Sequence, residues 1–286
     1  MAEASAPRTI SAAITSVARE LTTAGITHAG REAELLVAAV SGRSQEDLLV
    51  HPEAPLADDQ ERFLRSLASR RAAREPLAYL LGRTEFYSVS FQITPAAMVP
   101  RPETEILVEA ASARAPETGL AVDVGTGCGA IAISLALQIP GLRVVGTDIS
   151  RKALALAKRN CDLHHLGDRV GLVAGDLLAA IGRPADLIVA NLPYVGTDEF
   201  PALAPEVRDF EPRIALDGGE DGLRVIRRLS VELWDHLCPG GFAALEVGAG
   251  QATEVAKLLA LAGLSQITVL PDYAGIDRVV IGWREG

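Results

Sequence analysis

The chain has 286 residues, 49% of them hydrophobic and 22% charged, with a formal net charge of -10 and a sequence pI of about 5.1. That length allows one or two domains with real cores, while the acidic balance disfavours a protein that grips naked nucleic acid by its phosphates. Its apolar runs are too short for a membrane span. Its three scattered cysteines, Cys128, Cys161 and Cys238, form neither a C-x-x-C pair nor a zinc set, so reduced thiols in the cytoplasm are expected.

The first ten residues, MAEASAPRTI, hold no apolar signal-like core, so secretion is not expected. From about Arg8 to Arg74 the pattern is helical. Ile10, Ile14, Val17 and Leu21 recur at three- and four-residue spacing, and Leu35, Leu36, Ala39 and Val40 repeat it. Ser44 has the character of an N-cap, and Asp58-Asp59 open a helix with Phe63, Leu64 and Leu67 on one side. These segments predict a small helical bundle over 1–75. Arg70, Arg71 and Arg74 on its last helix read as a solvated face, or alternatively as a contact for RNA or an acidic partner.

Pro76 ends that region. From Ala78 to Val99, Phe86, Val89, Phe91 and Ile93 alternate with mostly polar residues, which predicts a β-hairpin linker over 76–99. The Val99-Pro100-Arg101-Pro102-Glu103-Thr104-Glu105 stretch then stiffens the chain before a helix starting near Glu103.

From Leu120 onward strands and helices alternate. Strands are expected at 120–124, 143–147, 170–174, 186–190, 241–247, 267–270 and 278–283, and helices near 130–138, 151–164, 222–237 and 251–261. The pattern specifies a doubly wound α/β domain over 100–286, with a mostly parallel, Rossmann-like sheet of seven strands. The short link from Pro271 to Asp277 cannot hold a crossover helix, so the last two strands form an antiparallel hairpin.

Candidate chemistry gathers at four strand ends. Asp123-Val124-Gly125-Thr126-Gly127-Cys128-Gly129 follows the first strand and opens a helix, where glycines and free N–H groups let a ligand approach closely. Asp148 ends the second strand, placed for ribose hydroxyls. Asp176 ends the third, with Leu177 able to cover a base. Asn191-Leu192-Pro193-Tyr194 follows the fourth. As a plain turn it needs no function. As a site, it presents an amide oxygen, a carbonyl held by the next proline, and an aromatic face, a set suited to a planar –NH2 group.

These residues resemble those of class I S-adenosylmethionine-dependent methyltransferases, in which Asn-Pro-Pro-Tyr marks transfer to a planar amino nitrogen. The P-R-P-E-T-E stretch at Pro100–Glu105 and E-P-R-I-A-L-D-G-G at Glu211–Gly219 resemble the HemK/PrmC family, which methylates the glutamine of the GGQ loop in peptide chain release factors. The resemblance spans nearly the whole chain, including the helical N-terminal part as a partner-recognition domain. It implies S-adenosyl-L-methionine as cofactor, S-adenosyl-L-homocysteine as product, release factors as partners, and neither a metal, a membrane nor a direct nucleic-acid substrate. Asp123, Gly125, Thr126, Gly127, Cys128, Gly129, Asp148, Asp176, Leu177 and Asn191 would hold the cofactor. Asn191 to Tyr194 would hold and orient the amide, with Phe86, Arg101 and Glu103 as further substrate contacts.

Leu192 stands where the family usually has proline; the carbonyl is kept, and the fixed φ of proline is lost. Asn-Leu-Pro-Tyr is also the form of rRNA adenine dimethyltransferases. The rival readings are therefore an adenine-N6 methyltransferase that flips a base into the same pocket and a glutamine methyltransferase of a ribosomal protein. A non-catalytic nucleoside-binding scaffold is a third.

Overall fold

The computed structural model describes residues 9–286, so the expectation about an N-terminal signal falls mostly outside the described residues. The chain divides into two compact units, 1–82 with 205–210, and 83–204 with 211–286.

The first unit contains α1 (Ile10–Thr23), α2 (Ala29–Ser41), α3 (Gln45–Val50), α4 (Asp58–Ala72) and α5 (Leu77–Leu81). Thr9 caps α1 by accepting from Ala12 N, and Ser44 caps α3 by accepting from Asp47 N at 3.1 Å. The apolar stripe of α1 is buried at Ile10, Ala13, Val17 and Leu21, and Leu36, Val37, Leu64 and Leu67 complete its core.

Two expectations need correction here. The segment from Leu77 is a short helix rather than the start of a strand. The Pro76 carbonyl accepts from Tyr79 and Leu80 N–H, and Gly82 closes the turn at φ 68°, so the proline opens a helix as well as ending one. The solvated face expected of the arginines holds only for Arg70, which pairs with Glu75. Arg71 is buried and forks onto Glu32 at 2.5 and 3.2 Å and onto Glu206 at 3.1 Å. Arg74 reaches Glu206 at 3.0 Å and the Gly25 carbonyl at 3.1 Å. Arg71 is thus spent on carboxylates distant in sequence and is not offered to RNA or an acidic partner.

The second unit opens with a hairpin, β1 (Arg83–Phe86) and β2 (Val89–Gln92). Its two turn residues, Tyr87 and Ser88, both have positive φ, 51° and 58°. Both central φ values positive is the mark of a type I′ turn, here made without the usual Asn or Gly. After α6 (Thr104–Ser112) the alternation begins: β3 (Thr118–Val124), α7 (Ala130–Gln138), β4 (Gly141–Asp148), α8 (Arg151–Leu163), β5 (Val170–Ala174) and β6 (Ala185–Ala190). A loop region follows with the two-residue β7 (Val195–Gly196), α9 (Pro205–Phe210), which folds with the first unit, and β8 (Asp217–Gly219). Then come α10 (Arg224–His236), β9 (Leu237–Glu246), α11 (Ala252–Leu261), β10 (Ser265–Pro271) and β11 (Asp277–Trp283).

Seven strands form one sheet in the order β10-β11-β9-β6-β3-β4-β5. β9, β6, β3, β4 and β5 are parallel, and β11 runs antiparallel to both β9 and β10. The parallel sheet and its antiparallel C-terminal hairpin are as the sequence pattern required. The chain steps from β3 outward to β4 and β5, then returns to the other side of β3 with β6. That reversal leaves a crevice at the carboxyl ends of β3 and β6, the switch point where open α/β sheets take ligands.

Candidate active site

The crevice is a cavity of about 520 Å³, within the range of small-molecule sites. The turns after β3, β4, β5 and β6 wall it, together with Ala96–Met98, Pro100, Thr104 and the segment 212–215.

The turn after β3 is built on backbone conformation. Gly125, Gly127 and Gly129 have φ of 75°, 58° and 86°, a region costly for side-chain-bearing residues. Gly125 and Thr126 N–H both donate to the Thr147 carbonyl, at 2.8 and 2.9 Å, which ties the turn to β4. A Cβ on Gly125 would lie 3.1 Å from a methyl of Leu192, so Leu192 packs directly against the glycine turn.

Asp123 and Gly129 lie outside the cavity wall, whereas Gly125, Thr126, Gly127 and Cys128 line it. Asp123 is fully buried behind the turn, accepting from Thr126 Oγ1 at 2.6 Å and Ala132 N at 3.1 Å. Burial pushes its carboxyl up to about 7, against those two hydrogen bonds. Gly129 caps α7 and packs on Ile133 and Ala157. The Cys128 thiol is raised to about 12 by burial, so it contributes shape rather than a thiolate.

Asp148 lines the cavity and accepts Gly127 N–H at 2.9 Å on one oxygen and Ser150 N–H at 2.7 Å on the other. An ionised carboxylate offers about four acceptor sites, so roughly two remain for ligand hydroxyls. Burial raises its pKa, opposed by the two backbone bonds. Asp176 also lines the cavity, yet it is exposed and pairs with Arg228 at 2.6 Å. That arginine was not anticipated. Leu177 is buried at φ 52°, and its carbonyl accepts from Thr147 Oγ1 at 3.0 Å.

In the turn after β6, Asn191, Leu192 and Pro193 line the cavity. Asn191 Nδ2 donates to Thr104 Oγ1 at 3.0 Å, which leaves Oδ1 as the amide's acceptor end. Tyr194 lies behind them, outside the wall. Its carbonyl accepts from Gln251 Nε2 at 2.9 Å, and its hydroxyl sits 3.5 Å from Glu246 Oε1. Burial, reinforced by Glu246, pushes the phenol up to about 12, so it stays a neutral donor.

Besides Tyr194, three further expected substrate contacts are placed elsewhere. Phe86 is buried in the hairpin, edge-on to Phe91 with centroids 6.3 Å apart, and is absent from the cavity wall. Arg101 is held by Glu211 at 2.7 Å, bracing two wall segments whose neighbouring prolines, Pro100 and Pro212, face the cavity. Glu103 is exposed at the start of α6 and does not line the cavity. Thr104, Glu211, Arg228 and Glu246 are the residues that motif reading missed. Glu246 carried a usable signal, a lone acid closing an apolar strand.

Among the described residues no cluster of side chains suits a metal ion, and no helix is long and apolar enough to cross a membrane.

Fold and glycine-turn crevice together define a methyltransferase of the seven-stranded kind. A methyltransferase from Pyrococcus furiosus aligns with TM-score 0.55 over 80% of this chain and all of its own, at 17% identity. The T. thermophilus 16S rRNA N2 G1207 methyltransferase, solved with AdoMet and guanosine, aligns at 0.53 over 71% and 50%, at 18% identity. The PrmC N-terminal domain model matches residues 12–82, and the methyltransferase small domain model matches 102–205. The release factor glutamine methyltransferase of Geobacter sulfurreducens is 43% identical over 90% of both chains. That of Moorella thermoacetica is 41% identical over 96% of this chain and 99% of its own. The chain belongs to the release factor glutamine methyltransferase family.

Proposed function

We propose that the protein transfers a methyl group from S-adenosyl-L-methionine to the side-chain amide nitrogen, N5, of the GGQ-loop glutamine in peptide chain release factors. The observation that carries this is the Asn191 amide, tied by Nδ2 to Thr104 so that an acceptor oxygen serves a cavity floored by the glycine turn.

The residues present fit the cofactor. Asp148 has acceptor capacity for the ribose hydroxyls, the positive-φ glycines let the main chain approach closely, and Leu177 and Ile149 offer apolar cover for a base. Asp176, which lines the cavity and pairs with Arg228, would accept from an amino group of that base. When bound, the cofactor supplies an electrophilic methyl group.

The glutamine amide is a poor nucleophile, because its nitrogen lone pair is shared with the carbonyl. Catalysis therefore rests on placement and on stabilising the charge that grows on nitrogen. Asn191 Oδ1 and the Leu192 carbonyl accept the two N–H bonds, and Pro193 holds Leu192 away from the helical region. Tyr194, outside the cavity wall, holds the turn from behind through its carbonyl and hydroxyl. The proton leaves after transfer, so no general base is required beforehand.

The helical first unit, matched by the PrmC N-terminal domain model, is read as the partner-recognition part of the protein, working in the cytoplasm alongside translation. The test is incubation of the enzyme with methyl-labelled cofactor, release factor, ribosomal proteins and nucleic acid, followed by mass spectrometry. Label on the GGQ glutamine supports the reading, and label found only in nucleic acid or a ribosomal protein overturns it.

A further inference from the structure

We propose that Asn160, a fully buried residue of α8 outside the cavity wall, is a positioning residue for the cofactor: its side-chain amide joins the glycine turn to the hairpin and so sets the spacing of two wall segments. This rests on reading the cavity as the S-adenosyl-L-methionine site.

Asn160 interrupts the apolar face of α8, where Ala153, Leu156, Ala157 and Cys161 are the other buried residues. A buried amide must find partners, and this one spends both its donors and its oxygen on main chain. Oδ1 accepts Gln92 N–H at 2.8 Å. The two Nδ2 hydrogens go to the Gln92 carbonyl at 3.0 Å and the Cys128 carbonyl at 2.8 Å. Gln92 is the last residue of β2, so Asn160 takes up the open edge of the hairpin as a neighbouring strand would. One turn earlier on α8, Ala157 lies against Gly129, where an added Cβ would come 3.3 Å from that of the alanine. Successive turns of α8 therefore support successive residues of the glycine turn.

Both segments that the amide joins lead directly into the site. Cys128 lines the cavity. Four residues beyond Gln92, the chain enters the wall as Ala96, Ala97 and Met98, with Ala97 Cβ 3.9 Å from where a Cβ on Gly127 would lie. Two wall segments distant in sequence are thus held in register by one side chain. Its chemistry is dictated by its partners. The two carbonyls only accept and the Gln92 N–H only donates, so the amide has a single orientation. Aspartate would keep the contact to Gln92 N–H but set an oxygen against both carbonyls.

The experiment measures the affinity of S-adenosyl-L-homocysteine by calorimetry for the wild type, Asn160→Asp, Asn160→Ala and His164→Ala. His164 Nε2 lies 2.7 Å from the Ser90 carbonyl, so it fastens the same hairpin to the end of the same helix without touching the glycine turn. Each Asn160 variant should raise Kd at least about tenfold, the scale of one buried group left without its partner. Its kcat for methyl transfer at saturating cofactor should fall less than its Kd rises, and His164→Ala should bind as the wild type does. If neither Asn160 variant folds, amide exchange in the wild type carries the test. The Gln92 N–H, although outside the cavity wall, should exchange at least about tenfold more slowly with S-adenosyl-L-homocysteine bound. Wild-type affinity in either Asn160 variant, a kcat loss matching the rise in Kd, an equal loss of affinity in His164→Ala, or Gln92 exchange indifferent to the ligand would overturn this inference alone. A folded wild type that binds no S-adenosyl-L-homocysteine would instead overturn the reading of the cavity.

Discussion

The two sides of the cavity are built by different means. The turn after β3 is made from the chain's own backbone: three glycines at positive φ, two N–H bonds to Thr147, and Asp148 reaching one strand across to Gly127. The turn after β6 is held from outside. Thr104 of α6, Glu246 of β9 and Gln251, just ahead of α11, each fix one part of Asn191–Tyr194. A binding surface for a large ligand tolerates fixed main chain, whereas orienting a single nitrogen requires a side chain locked in one rotamer, and that lock takes partners from several elements.

The largest effect should come from the acceptor side. Asn191→Ala is expected to lower kcat by at least about a thousandfold, at the top of the range for losing one charge-stabilising group. Cofactor binding, followed by calorimetry, should be largely retained. Loss of both together would remove the distinction between the two sides.

On the donor side, Gly125→Ala forces a methyl into positive φ and to 3.1 Å from Leu192. It should cost about 1–3 kcal/mol of stability and weaken cofactor binding, both read from melting curves with and without cofactor. Asp148→Ala removes the acceptor for two ribose hydroxyls. At about 1.5–3 kcal/mol per charged hydrogen bond, its cofactor Kd should rise at least tenfold. Its kcat at saturating cofactor should fall far less. A fall in kcat with no change in Kd would misassign the residue.

The pH dependence of stability sharpens the same contrast. Asp123 has its pKa raised by burial from 3.8 to about 7, so the folded state binds its proton more tightly than the unfolded chain does. The stability this contributes is complete below the unfolded value and is lost as pH rises through about 7. Asp123→Asn should therefore flatten the fall in melting temperature between pH values near 4 and 7, relative to wild type. An unchanged slope would show that Asp123 titrates normally.

The smallest effect is expected of Leu192→Pro. It gives the Asn-Pro-Pro-Tyr form that the resemblance suggests and keeps the carbonyl, so the rate should stay within a few-fold of wild type. Trimming the buried leucine against Gly125 should cost about 1–2 kcal/mol, seen in thermal unfolding.

What the sequence reveals follows the same division. α7 and β5 end at the residues expected, because glycine punctuation and compact apolar runs are local signals. The glycine turn and the strand-end acids were legible for that reason. The hairpin was legible from its alternation, although the Tyr87-Ser88 turn carries no glycine to announce it. The misses are non-local. Arg71 looked solvated because its partner Glu206 lies in another part of the chain, and Phe86 looked available because alternation does not say which partner buries a side chain. Thr104 meets Asn191, and Glu246 meets Tyr194, only through the folded sheet edge, so no motif window contains them all.

The short helix α9, which folds with the first unit through Glu206 and its two arginines, bears on how the protein is made. Domains generally fold in order of emergence from the ribosome. Here residues 1–82 emerge early but lack the carboxylate that completes the Arg71 cluster until Phe210 has been synthesised. An Arg71 paired with Glu32 alone must wait while most of the sheet is translated. Vectorial synthesis thus cannot finish the first unit first, and a nascent chain stalled before Glu206 should be more open to proteolysis in its helical part than the complete protein.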